Sequence, residues 1–359
     1  MVKYDKELVI EGKVIGDNHP TYFIADIAAN HDGSLQRAID LVYLAKEAGA
    51  DAAKFQHFKA NSIVSDVGFR SLGQQQSHQA KWEKSVFEVY QDASVDLGWT
   101  PALKEACNKA GITFFTSPYA FDLVDHIDPY VPAYKIGSGD ITWTEMIEYI
   151  ASKGKPVILA SGASSMDDVH RAVRAATSIT TQFALMQCNT NYTGSLENFR
   201  FIQLNVLRSF QTMYPGMVLG LSDHTPGLTT VLGAVTLGAR VIEKHFTDDT
   251  NRTGPDHAFS MSPQDWKAMV NHTRELENAL GNGVKKIEEN ESQTAILQRR
   301  AIRLVRNMAA GEVVRKEDLE LLRPCPADGL PPYRMGEVLG KSLRRGKACG
   351  QHLLIGDIE

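Results

Sequence analysis

Short apolar runs recur along the chain, and most are separated by stretches with helical spacing. Strands are predicted at 22–27 (YFIADI), 52–57 (AAKFQH), 112–117 (ITFFTS), 133–138 (AYKIGS), 156–161 (PVILAS), 183–188 (FALMQC), 218–223 (VLGLSD) and 241–246 (VIEKHF). None of these runs alternates strictly, which is the pattern of strands covered on both faces. Between them, residues 35–48 put Leu35, Ala38, Leu41, Val42, Ala45 and Ala48 on one helical face. Gly49, Gly111, Gly154 and Gly238 each stand shortly before a strand, where a left-handed residue would stop the preceding helix. Eight such β-then-α units over about 260 residues predict an α/β chain with a (β/α)8 TIM barrel at 1–281. An open doubly wound sheet is the alternative arrangement of the same units.

Two stretches break the rhythm. Residues 59–100 form a long connection containing GQQQSHQAKWEKSVFEVY, the length expected of a lid or binding element. Residues 282–297 are polar and charged and read as a linker. Beyond them, 298–359 show short β runs and tight turns, predicting a separate small β-rich domain.

The predicted strands share a polar end. Asp26, Lys54, Gln56, Ser117, Lys135, Ser138, Ser161, Gln187, Asp223, His224, Lys244 and His245 all fall at or near strand C-termini. A barrel gathers those ends around one mouth, where its active site sits. Solvated strand ends explain some of them, but not three lysines on otherwise apolar strands, because burying an unpaired ammonium is costly.

Composition narrows the functional classes. Apolar residues make up 43% of the chain, enough for an ordinary globular core, and the formal charge of −5 argues against a nucleic-acid partner. Cys107, Cys188, Cys325 and Cys349 lack CxxC spacing, which fits reduced thiols and a cytoplasmic location. The N-terminus lacks a signal-peptide pattern, and no run approaches the roughly 18 apolar residues of a membrane span.

Three groups of residues carry candidate chemistry. His224 and His245 end neighbouring strands and could hold one divalent metal with open coordination positions. Hydrogen-bonding histidines without metal are the alternative, and His31, His57 or His257 could supplement or replace either ligand. Lys54 and Lys135, with Ser138, Ser161 and Ser222, would form a cradle for phosphate or carboxylate. A lysine that forms a Schiff base with pyruvate, as in an aldolase, is another reading. Asp26, Asp140, Asp223 and Asp256 could orient water or carry a proton, with Asp223 the one most suited to a purely structural role.

FIADIAANHDG, AKEAGADAAKFQ, FFTSPY, YKIGSGD, GLSDHT, GARVIEKHFT and GPDHAFS, in that order, resemble the signature segments of the sialic acid synthase family. The segment from Arg299 onward, RRAIRLVRNMAAGEVVRKEDLELLRP, resembles its antifreeze-like (SAF) domain. The resemblance implies condensation of phosphoenolpyruvate with an N-acylated aldose, such as N-acetylmannosamine, to give a nonulosonic acid. It implies a divalent metal on His224 and His245, usually Mn2+, with Mg2+ or Co2+ as alternatives. Asp26 and Asp140 join the two histidines as the implied catalytic set. Lys54, Lys135, Ser138 and Ser222 would hold phosphoenolpyruvate, and Gln56, Tyr192 and Asp256 would meet the sugar. Arg323 would enter the partner's barrel in a domain-swapped homodimer. The chain departs from the family pattern at Asp26 and Asp140, where glutamate is usual, at Ala160-Ser161-Gly162, where a Ser/Thr-Thr-Gly stretch is usual, and at LRPCPADGLPP.

Overall fold

A computed structural model describes residues 3–72, 79 and 82–359. The chain divides into two compact units, Met1–Gly281 and Asn282–Glu359.

The first unit opens with an antiparallel hairpin, β1 (Glu7–Ile10) and β2 (Lys13–Gly16). Eight parallel strands follow: β3 (Tyr22–Asp26), β4 (Ala52–His57), β5 (Thr113–Pro118), β6 (Tyr134–Ile136), β7 (Val157–Ala160), β8 (Phe183–Cys188), β9 (Val218–Asp223) and β10 (Ala239–His245). They pair in the order β5-β4-β3-β10-β9-β8-β7-β6, so the first and last barrel strands in the chain are neighbours. Strands β5 and β6 lie side by side at the remaining seam, completing a barrel and excluding the open sheet.

Strand parity sorts the side chains into two layers. Phe23, Ala25, Phe55, Phe114, Leu159, Leu185, Leu219 and Ile242 belong to the core shared with the surrounding helices. Tyr22, Ile24, Phe115, Ile158, Met186, Val218 and Val241 fill the barrel interior together with Leu8, Ile10 and Ile15 of the hairpin. The hairpin thus packs against residues at the strand N-termini and leaves the C-terminal mouth to polar residues. It escaped the sequence reading because each of its strands is only four residues long.

The helix Leu35–Glu47 buries Ala38, Leu41, Val42 and Ala45 and starts at Ser34, whose hydroxyl accepts the Arg37 N–H. The four expected helix-stopping glycines all have positive φ, between 67° and 93°. The connection 59–100 contains helices Ala60–Ile63, Asp66–Ser71 and Val86–Ala93. Most of its GQQQSHQAK stretch, residues 73–78 and 80–81, lies outside the described residues.

In the second unit, β11 (Ala301–Leu304) pairs antiparallel with β12 (Leu319–Leu322). Isolated bridges such as Met308 with Lys347 and Val313 with Ser342 extend this pattern around Ile302, Leu304, Val314, Leu343 and Leu353. Residues 282–297, expected as a linker, fall within this unit and lead into the helix Ser292–Gln298. No described helix is long and apolar enough to cross a membrane.

Candidate active site

A cavity of about 380 Å³ occupies the mouth of the barrel. It brings together Asp26, Lys54, Gln56, Lys135, Ser138, Asp140, Tyr192, Ser222, His224, His245 and Asp256. Parity explains the selection. Asp26, Lys54, Gln56, Lys135, Ser222 and His245 continue the inward rows that begin with Ile24, Ala52, Ala133, Gly220 and Val241.

Ser161, expected in the anion cradle, does not join them. Ser161 follows inward Ala160 and therefore points out of the barrel; its hydroxyl donates to the Met186 carbonyl at 2.9 Å. The cradle hydroxyls in the cavity are Ser138 and Ser222 instead. Arg323 lies exposed on the second unit, before a cis peptide bond to Pro324. Lys244 also faces away. Its ammonium lies 2.5 Å from Asp223 Oδ2 and donates to the Thr225 carbonyl at 2.6 Å. Asp223 further accepts the Thr230 hydroxyl at 2.7 Å, so its role is structural, and Gln187 likewise turns outward to the Ile202 carbonyl.

The sequence reading missed Glu243. It sits two residues before His245 on the same face and is 5% exposed. Its carboxylate lies 3.3 Å from Lys135 Nζ and 3.9 Å from Lys54 Nζ, and accepts the Ser222 hydroxyl at 3.2 Å. Burial alone would raise its pKa, but the two ammonium groups prevail and hold it at about 2. Lys54 also lies 2.6 Å from Asp26 Oδ2. Burial works against the Lys54 charge, yet Asp26 and Glu243 raise its pKa overall. A lysine kept as ammonium is a poor Schiff-base nucleophile, so this geometry disfavours the aldolase reading.

Asp26 links both halves of the site. It accepts the Gln56 amide at 3.1 Å and the Ala28 N–H at 3.1 Å, and lies 3.7 Å from His245 Nε2. The aspartate therefore reaches this histidine despite its short side chain. Burial, with Glu243 adding repulsion, raises its pKa against the pull of Lys54. Asp140 and Asp256 are both pushed up to about 6 by burial. Asp256 Oδ2 lies 4.0 Å from His245 Nδ1 and accepts the Ala29 N–H at 3.1 Å.

The imidazoles of His224 and His245 face each other with ring centroids 5.4 Å apart. His224 Nδ1 lies 2.8 Å from the Asn189 carbonyl, so it carries the proton and leaves the Nε2 lone pair free. His245 Nδ1 is buried without a hydrogen-bond partner. Burial lowers His224 to about 4, helped by His245, and His245 to about 3, helped by Lys54. Two adjacent neutral imidazoles, one with an unsatisfied nitrogen, fit a divalent cation. No larger His/Cys/Asp/Glu cluster suited to a metal occurs among the described residues.

The other candidate histidines are bound elsewhere. His57 lies between the Thr116 and Thr100 hydroxyls at 2.7 and 2.9 Å, His257 between Thr247 and Asp32, and His31 packs on Trp99. An aromatic wall forms the outer cavity: Tyr192 lies 4.3 Å from His224 between ring centroids, and the Phe58 ring contacts those of Tyr90 and Tyr119.

Comparison with known proteins identifies the family. The NeuB family model matches residues 41–285 and the SAF domain model matches 299–359. The N,N'-diacetyllegionaminic acid synthase of Legionella pneumophila is 35% identical over 96% of both chains. A pseudaminic acid synthase of Campylobacter jejuni is 30% identical over 94% of this chain and 96% of the other. The structure of an N-acetylneuraminic acid synthetase from Leptospira borgpetersenii, complexed with citrate, covers 82% of this chain and 96% of its own, with 26% identity and a TM-score of 0.71. The chain belongs to the NeuB family, whose relatives include legionaminic, pseudaminic and N-acetylneuraminic acid synthases, and it ends in a SAF domain.

Proposed function

We propose that this chain condenses phosphoenolpyruvate with an N-acylated aldose and water, giving a 3-deoxy-2-keto nine-carbon acid and phosphate for surface carbohydrate. The observation that supports this most is the division of one cavity into two chemistries. Lys54 and Lys135, held by Asp26 and Glu243, form a cationic floor, and neutral His224 and His245 stand beside it.

In this reading Lys54, Lys135, Ser138 and Ser222 hold the phosphate and carboxylate of phosphoenolpyruvate. Ammonium groups already fixed by buried partners need little reorganisation when the anion arrives. Gln56, Tyr192 and Asp256 align the open-chain sugar so that its aldehyde carbon meets carbon 3 of phosphoenolpyruvate, an orientation that lowers the barrier substantially. A carbon–carbon bond forms as the enol π electrons move to the aldehyde carbon, and the broken C=O π bond leaves an alkoxide that becomes a hydroxyl on taking up the proton Asp26 receives from water. Water adds at carbon 2, and Asp26, within reach of Lys54, Gln56 and His245, accepts its proton. The tetrahedral adduct then breaks its carbon–oxygen bond to phosphate and leaves the 2-keto acid. A divalent cation, Mn2+ or alternatively Mg2+ or Co2+, would be held by His224 and His245 and would supply Lewis-acid polarisation of the aldehyde. The same proposal includes a domain-swapped homodimer in which Arg323 of one copy serves the acceptor in another.

Phosphoenolpyruvate labelled with heavy oxygen at the bridging position tests this route. Label recovered in phosphate, with a new 2-keto acid formed in equal amount, is the expected result. Label retained in the keto product would contradict carbon–oxygen cleavage. Borohydride inactivation in the presence of pyruvate would instead favour the Schiff-base aldolase.

A further inference from the structure

Asp256 projects into the cavity from the loop after β10, and that loop is tied to the loop after β3 by a buried group outside the cavity lining. His257 is completely buried. Its Nε2 lies 2.9 Å from Asp32 Oδ1 and its Nδ1 lies 2.7 Å from the Thr247 hydroxyl. A carboxylate only accepts, so Nε2 carries a proton and donates its N–H to Asp32. Asp32 is itself fixed by Arg252 at 2.7 Å and Arg37 at 3.1 Å, and occupies the left-handed region at φ 50°. The backbone lies against the ring: a Cβ on Gly254 would come within 2.6 Å of His257 Cδ2.

The other side of Asp256 is stitched to the same loop. Its carboxylate accepts the Ala29 N–H, and its carbonyl accepts the Ser260 hydroxyl at 2.7 Å. The Asn30 amide donates to Ser260 Oγ and the Phe246 carbonyl, both at 2.9 Å. The ion pair and imidazole lie on one side of Asp256, and the amide–hydroxyl stitch on the other. A strained turn held by two arginines and a buried histidine is more elaborate than loop closure requires.

We propose that His257, anchored on Asp32, is a positioning residue that fixes the Asp256 carboxylate in the acceptor half of the cavity. It touches no substrate; it holds the peptide that carries the group which does. The assignment of Asp256 to the acceptor rests on the function proposed above, whereas the tether itself does not.

His257→Gln and His257→Asn separate the two contacts, because glutamine places its amide near the position of Nε2 and asparagine near that of Nδ1. Glutamine should retain the bond to Asp32 and keep the acceptor KM within about threefold of the parent, while asparagine should raise it by about tenfold or more. Asp32→Gly, which tolerates the left-handed turn and removes the acceptor, should resemble His257→Asn. The KM for phosphoenolpyruvate should stay level in all three. Hydrogen exchange at the Ala29 amide should accelerate in His257→Asn and Asp32→Gly but not in His257→Gln, and this can be read without turnover. Equal acceptor KM values for Gln and Asn, or parallel losses for both substrates, would overturn the positioning role. Unchanged Ala29 exchange would overturn the tether. Faster exchange in a protein that turns over no phosphoenolpyruvate would leave the tether standing and refute the proposed function.

Discussion

Glu243 shows how one side chain can organise a site while remaining inconspicuous in sequence. It precedes a lysine and a histidine in VIEKHF, and strand parity turns the lysine away from the cavity. Positions 243 and 245 share the inward face, and Lys244 lies on the other. Glu243→Gln removes the carboxylate shared by two buried ammonium groups and should cost about 3 kcal/mol of stability at pH 7. It should also lower kcat/KM for phosphoenolpyruvate by at least about tenfold. Denaturant titration with steady-state kinetics checks both, and a wild-type stability would remove Glu243 from the network. The histidine and lysine positions were legible because imidazole and ammonium stand out on apolar strands. Ser161 was misplaced by the same neglect of parity, since Ala160 takes the inward position before it.

Acid sensitivity also belongs to individual residues. Burial lowers His57 to about 3, with His126 and His31 adding repulsion, and lowers His31 to about 4. Unfolded histidine titrates near about pH 6.5, so between that value and about pH 4 the unfolded chain binds more protons. Stability should therefore fall as pH drops through this window. His57→Gln should flatten that fall, measured as the denaturant midpoint at pH 7.5 against pH 5. An unchanged pH slope would show that His57 does not contribute.

At the scale of elements, β9 and β10 carry two charge systems on opposite faces. The inner one serves the cavity. The outer one, Lys244 with Asp223, Thr225 and Thr230, joins the two strands behind it. Asp223→Ala leaves a buried ammonium unpaired and should destabilise the fold by about 3–5 kcal/mol. The KM for phosphoenolpyruvate should remain near wild type in the protein that folds, unlike Lys54→Met or Lys135→Met. A KM shift equal to theirs would place Lys244 in the binding site after all. The barrel strands were legible because each is a short apolar run closed by polar residues, and the helix ends because glycine can take positive φ. The hairpin β1–β2 was not, because four-residue strands give too little periodicity to distinguish from loop. Residues 282–297 read as a linker for a similar reason: their polarity is real, but the short helix Ser292–Gln298 belongs to the second unit.

At the scale of the whole molecule, the fold gathers side chains separated by more than two hundred positions, from Asp26 to Asp256, in one cavity. That convergence was legible as soon as eight strands were recognised, because a barrel brings all their C-terminal ends together. The aromatic wall was less so, since Phe58, Tyr90 and Tyr119 come from connections and carry no periodic signal. Removal of divalent cations with a chelator, followed by readdition of Mn2+, Mg2+ or Co2+, should abolish and restore turnover, and His245→Ala should remain folded but fail to recover. Full activity after chelation would contradict the proposed metal role. The central claim is tested most directly by phosphate release from phosphoenolpyruvate with N-acetylmannosamine, its 6-phosphate and a 2,4-diacetamido-2,4,6-trideoxyhexose. The account predicts release with at least one of these sugars, matched by a 2-keto acid and negligible without sugar. No release with any of them, or release independent of the aldose, would contradict it.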